Sequence, residues 1–131
     1  MFKARNKYGN KKIESDGLKF DSKLEFFCHQ LLIQAGIDFE FQKQITLIDK
    51  FTYNGEKIRA TTIVVDFVIN NQGKTIYLDT KGLPTPVSIL KYKMLKSLLK
   101  DEIFTDVVWV KTQKQTREYV NSLIKEKKNE H

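Results

Sequence analysis

Two apolar runs, Val64-Val65-Asp66-Phe67-Val68-Ile69 and Ile76-Tyr77-Leu78-Asp79-Thr80, each carry a single aspartate, with the polar turn Asn70-Asn71-Gln72-Gly73 between them. Runs this rich in β-branched and aromatic residues read as neighbouring strands of a buried sheet. A carboxylate placed inside such a strand is costly unless something neutralises it. Whatever fold the chain adopts must pair these strands and also provide a positive partner for Asp66 and Asp79. Lys81 follows two residues after Asp79.

Side chains alternate faces along a strand, so register decides whether the aspartates meet. In an antiparallel pair the position numbers of opposed residues have a constant sum, and a two- or four-residue loop makes that sum odd. Asp66 and Asp79 then share a face, and so does Lys81. Val65, Phe67, Ile69, Ile76 and Leu78 are expected on the opposite, apolar face. Two carboxylates on one face repel unless a proton or a cation lies between them. Mg²⁺ suits hard oxygen ligands and is commonly held by one or two carboxylates plus substrate phosphate. It also lowers the pKa of bound water. The spacing therefore points to metal-assisted hydrolysis, most simply of a phosphodiester, with Lys81 orienting the attacking water or offsetting developing charge. Taken alone, the pattern is more simply explained by two exposed edge aspartates, one of them paired with Lys81.

The remaining elements follow from periodicity and punctuation. Ser22 opens a helix whose Leu24, Phe27, Cys28, Leu31, Leu32 and Ala35 recur at helical spacing, and Gly36 is placed to end it. Segments 37–42 and 44–48 read as short strands, and Asn54-Gly55 marks a tight turn within 51–57. Residues 58–69 read as one long strand and 74–80 as the next. After Pro84 and Pro86, a helix over 87–99 is expected to turn Val87, Leu90, Met94, Leu95 and Leu98 inward. Val107-Val108-Trp109-Val110 reads as a strand covered on both faces. A final helix over 113–127 buries Tyr119, Val120, Leu123 and Ile124. The expected architecture is an α/β (α+β) domain with a central mixed sheet flanked by helices, in the order α-β-β-β-α-β-α.

Glu25 carries a second meaning. Ser22-Lys23-Leu24-Glu25 has the spacing of a capping box, in which Glu25 reaches back to the Ser22 backbone. With Leu24 as the centre of the buried stripe, Glu25 falls on its shoulder, near the sheet margin, where it could join Asp66 and Asp79. Cap and ligand both remain open on spacing alone.

Phe20-Asp21-Ser22-Lys23-Leu24-Glu25, then Asp66-Phe67, then Asp79-Thr80-Lys81-Gly82 resemble the PD-(D/E)xK nuclease superfamily. The element order is similar to that superfamily's restriction-endonuclease-like core. More narrowly, Lys7-Tyr8-Gly9-Asn10-Lys11-Lys12 ahead of the helix resembles small phage-encoded endonucleases and Holliday-junction-resolvase-like proteins. The resemblance spans about residues 6–100. It implies that Asp66, Asp79 and Glu25 are catalytic metal ligands, that the Thr80 carbonyl is a further ligand, and that Lys81 is the catalytic lysine. Val65 stands where the superfamily often has proline, and Asp79 where it often has the longer glutamate. It further implies a Mg²⁺-dependent endodeoxyribonuclease, with Mn²⁺ able to substitute, which leaves 5′-phosphate and 3′-hydroxyl ends. Branched or junction DNA is the expected substrate, cut by a homodimer. The rival readings are a transposase- or repair-associated nicking enzyme and a non-catalytic DNA-binding module of the same fold.

Composition agrees with an anionic partner. Among 131 residues, 23 Lys and Arg against 16 Asp and Glu leave a formal charge of +7, which favours polyanions. Lys3, Arg5, Lys7, Tyr8, Lys11 and Lys12 make either a phosphate-gripping arm or a solubilising terminus within residues 1–19, read as a basic arm or hairpin of a single domain. Lys93, on the inner shoulder of its helix, is expected to touch a phosphate. His29, one turn past Glu25, reads as a structural side chain, and Cys28 and Trp109 read as core. A lone cysteine and the lack of an apolar segment near the ~20 residues that cross a bilayer lead to the expectation of a cytoplasmic protein with no membrane partner.

Overall fold

The computed structural model of the chain describes residues 13–15 and 17–129. A small hairpin of β1 (Ile13–Ser15) and β2 (Leu18–Phe20) leads into α1 (Lys23–Gln34). Ser22 caps α1, its hydroxyl accepting the Glu25 N–H at 3.1 Å. Gly36, at φ +65°, supplies the left-handed residue that ends the helix. Strands β3 (Asp38–Ile48), β6 (Thr61–Asn71), β7 (Lys74–Thr80) and β8 (Thr105–Val110) form one sheet in the order β3-β6-β7-β8. Between β3 and β6 stand β4 (Phe51–Tyr53) and β5 (Glu56–Ile58), a hairpin forming its own two-stranded sheet. The first three strands of the main sheet are antiparallel neighbours, and β8 runs parallel to β7. A parallel neighbour requires a crossover, which α2 (Pro86–Leu99) provides, and α3 (Gln113–Asn129) closes the chain. The result is the expected mixed sheet flanked by helices, with the two small hairpins added.

The β6–β7 turn fixes the register that matters most. Gln72 and Gly73 have φ of 53° and 76°, the pattern of a two-residue type I′ turn. Phe67 is thereby paired with Leu78 and Asn71 with Lys74. One step further along this ladder, Asp66 comes opposite Asp79, as the odd-sum argument requires.

Helices cover both faces of the sheet. Cys28 and Leu32 of α1 pack with Val120 and Leu123 of α3 against Phe67, Ile69, Ile76 and Leu78. On the other side, Tyr92 and Leu95 of α2 pack with Ile63, Val65 and Val68. Val65 therefore does not share a face with Phe67, contrary to strict alternation. On β3 the same switch occurs: Phe39 and Phe41 join the α1–α3 core, while Ile45 and Leu47 join the α2 core. The two switches meet at one rung. Phe41 pairs with Phe67 and Lys43 with Val65, but the intervening Gln42 has φ +54°, an uncommon backbone for a non-glycine residue. β3 nevertheless continues through this kink as one eleven-residue strand, where two short strands were expected.

Two further expectations are corrected. The expected strand over 58–69 is divided: Ile58 ends β5, and β6 begins at Thr61. On α2 the inward stripe is Ser88, Tyr92 and Leu95, whereas Val87, Leu90 and Leu98 are exposed. The helix carries two apolar stripes, and the one nearer the sheet includes a serine and a tyrosine that hydrophobicity alone does not favour.

Candidate active site

Glu25 enters the site from the first turn of α1. It stands in line with Cys28, His29 and Leu32 on the buried stripe, not on its shoulder, and is 1% exposed. Its Oε2 accepts the Asp21 N–H at 2.5 Å, one residue before the Ser22 backbone that a capping box uses. Its Oε1 accepts from Gln42 Nε2 at 3.2 Å, and the same amide reaches the Lys19 carbonyl at 3.1 Å. The kinked Gln42 thus aims its side chain at the acid across the sheet edge. Burial pushes the Glu25 carboxyl above the usual carboxylate range, only partly offset by the bonds from Asp21 and Gln42.

Asp66 and Asp79 meet at the kinked rung. Asp66 Oδ2 accepts from both the Thr80 N–H and the Thr80 hydroxyl, each at 2.8 Å. Its own N–H faces Asp79 Oδ1 at 3.4 Å. Burial holds the Asp66 carboxyl well above the usual range, and the charges of Asp79 and Glu25 raise it further. Asp79 is itself 5% exposed. Glu25 and Asp79 are buried and Asp66 partly so, and none of the three carboxyl groups has a salt-bridge partner among the described residues.

These groups line one cleft of about 440 Å³, walled by the start of α1, the middle of β6, the end of β7, the 81–85 loop and α2. Lys81 opens onto it at the end of β7, its backbone pinned to β8: its N–H donates to the Val110 carbonyl at 3.0 Å, and Trp109 Nε1 donates to the Lys81 carbonyl at 2.8 Å. The Lys81 ammonium makes no salt bridge among the described residues. Lys91 and Lys111 line the same cleft. Three lysines around an acidic floor suit a ligand that is itself anionic and brings or shares a cation.

Glu25, Asp66, Asp79, Thr80 and Lys81 are therefore brought together as the sequence led one to expect. Lys93 is not: it is exposed and lies off the cleft, because the turn of α2 that faces the sheet is set by Tyr92 and Leu95. Lys3, Arg5, Lys7, Tyr8, Lys11 and Lys12 lie outside the described residues. Sequence reasoning missed three participants. Gln42 holds Glu25, a role that its place on an edge strand does not announce. Lys111 follows from topology: Thr80 pairs in parallel with Val110, so the residues just past both strand ends are neighbours. Tyr92 is 5% exposed and lines the cleft, its buried hydroxyl turned toward Asp79. Burial and the charge of Asp79 raise its pKa. His29 stands among the rings of Phe20, Phe39 and Phe41 at centroid distances of 5.0 to 5.2 Å.

Hard oxygen donors with no salt-bridged cation among the described residues are chemistry that fits a divalent cation such as Mg²⁺ or Mn²⁺. The fit is narrower than three acids, however. Among the described residues, no group of three or more His, Cys, Asp or Glu side chains is gathered closely enough to hold a metal. Glu25 has both oxygens engaged by Asp21 and Gln42, which leaves the Asp66–Asp79 pair as the part of the site suited to ligation. No helix among the described residues is long and apolar enough to cross a membrane.

A family model described as "Protein of unknown function (DUF1064)" matches residues 5–118, and the chain belongs to that family. No curated protein and no solved structure matches it.

Proposed function

We propose that this DUF1064 protein is a metal-dependent endodeoxyribonuclease of the PD-(D/E)xK type, acting on branched DNA as a homodimer. The observation that carries the reading is the convergence of Asp66, Asp79, Glu25 and Lys81 on one cleft, at the point where the β6–β7 hairpin and the β7–β8 strand ends meet. Branch preference and the dimer rest on the resemblance to small phage resolvases.

In this reading Asp66 and Asp79 hold the cation, Thr80 fixes the Asp66 carboxylate from two directions, and Glu25 supports the site through its tether to Gln42. When bound, the cation would polarise a phosphate oxygen and lower the pKa of water. Lys81 places a positive charge where the phosphorus is attacked and orients the nucleophile. Lys91 and Lys111 engage flanking phosphates and set the path of the strand across the cleft. Water adds to phosphorus, the P–O3′ bond breaks, and the leaving oxygen takes up a proton, leaving 5′-phosphate and 3′-hydroxyl ends.

A cleavage panel of four-way junction, flap, single-stranded and linear DNA, with Mg²⁺, Mn²⁺ or EDTA, tests this reading. Cleavage of the junction in either metal, abolished by EDTA, is expected. Linear duplex cut as fast as the junction would replace the resolvase reading with a general nicking enzyme. Tight DNA binding without cleavage on every substrate would leave a binding module.

A further inference from the structure

The β4–β5 hairpin carries a feature that the cleft does not use. Asn54 and Gly55, with φ of 47° and 79°, form a type I′ turn that rigidifies the hairpin, and among the described residues its strands pair only with each other. Phe51 and Tyr53 are nonetheless 49% and 64% exposed. Phe51 has an apolar cross-strand partner in Ile58, but Tyr53 is paired with Glu56, which offers its ring no apolar cover. Isolated exposed apolar residues are ordinary; two exposed aromatic residues two apart on one short strand are a surface suited to a ligand.

Their spacing suggests which ligand. Residues two apart on a strand project to the same face about 6.8 Å apart, twice the roughly 3.4 Å separation of stacked bases. One planar base would fill the gap and touch both rings. Lys50, Lys57 and Arg59 against the single acid Glu56 give segment 50–59 a positive charge that complements phosphate. The hairpin leads directly into β6, whose residues Ile63, Val64 and Asp66 line the acidic cleft. From Thr61 to Asp66 the strand runs about 17 Å, or about five nucleotide rises. A strand with a phosphate in the cleft would thus present a nearby base to the hairpin.

We propose that Phe51 and Tyr53 form a stacking site for one unpaired nucleobase, which gives the protein its grip on DNA where a duplex opens. This rests on the nuclease reading above. The test uses DNA with 2-aminopurine at and around the branch point, titrated with the full chain in Ca²⁺. Wild type is expected to quench the probe at one position, while F51L/Y53L loses the quench and binds the branched DNA at least about fivefold more weakly. F51W/Y53W, which keeps the rings, is expected to retain both, separating stacking from any fault in the hairpin's folding. Equal quenching and affinity for wild type and F51L/Y53L would overturn the stacking site and leave the nuclease reading untouched. Absence of any DNA binding by wild type would overturn both. If F51L/Y53L instead converts a dimer to a monomer in sedimentation, the rings are a contact between copies of the chain and the stacking site is wrong.

Discussion

Individual residues divide the work of the cleft in ways their types alone do not reveal. Asp79→Ala is expected to abolish cleavage while leaving DNA binding in Ca²⁺ within about twofold, because the carboxylate serves the cation and not the phosphate backbone. Lys81→Ala should lower the cleavage rate about 10²- to 10⁴-fold with binding little changed, measured by single-turnover kinetics. The acids also leave a signature in stability. Asp66 and Glu25 have raised carboxyl pKa values in the folded chain. Between the unfolded carboxylate range near about 4 and those raised values, the folded state binds more protons than the unfolded one. Metal-free stability therefore falls as pH rises through that window. Melting in EDTA should show a falling midpoint from about pH 4 upward, flattened in Asp66→Asn, with Mg²⁺ restoring wild type at the upper end. That Asp66 and Asp79 face each other was legible from parity and turn length. The Glu25–Gln42 contact was not, because it depends on a positive φ at Gln42 that nothing in the sequence around it announces.

At the scale of elements, punctuation was readable and facing was less so. Ser22, Gly36, Asn54-Gly55 and Gln72-Gly73 mark their cap, stop and turns because each solves a local backbone problem. Helix α2 shows the limit. Val87, Leu90, Met94 and Leu98 make the more hydrophobic stripe, yet Ser88, Tyr92 and Leu95 face the sheet. Hydropathy marks a face as apolar but does not say which neighbour covers it, and the cleft needs polar groups at the sheet margin. Leu95→Ala should cost about 2–5 kcal/mol in denaturant melts, whereas Leu98→Ala should stay within about 0.5 kcal/mol. Equal losses would mean that α2 is rotated from the orientation described. The kink shared by Gln42 and Asp66 likewise defeats strict alternation, which is why Val65 was assigned to the wrong face.

Across the whole molecule, the order of elements and the +7 charge were legible, because periodicity and turn residues mark the elements and net charge is a sum over the chain. The route of a bound strand was not, since Lys111 meets the cleft only through the parallel pairing of β7 and β8. Phosphate contacts release counterions, so affinity for DNA should fall steeply with salt. In Lys91→Ala/Lys111→Ala the slope of log affinity against log salt should be shallower by about 2. An unchanged slope would take both lysines off the DNA path. The acids and the ammonium matter together only if a cation lies between Asp66 and Asp79. Anomalous diffraction from a crystal soaked in Mn²⁺ reads this directly. The expected result is a peak within about 2.0–2.2 Å of oxygens from both aspartates, absent in Asp79→Ala. A crystal whose cleft takes up no Mn²⁺, or whose only peak lies away from this pair, would contradict the metal site on which the proposed hydrolysis depends.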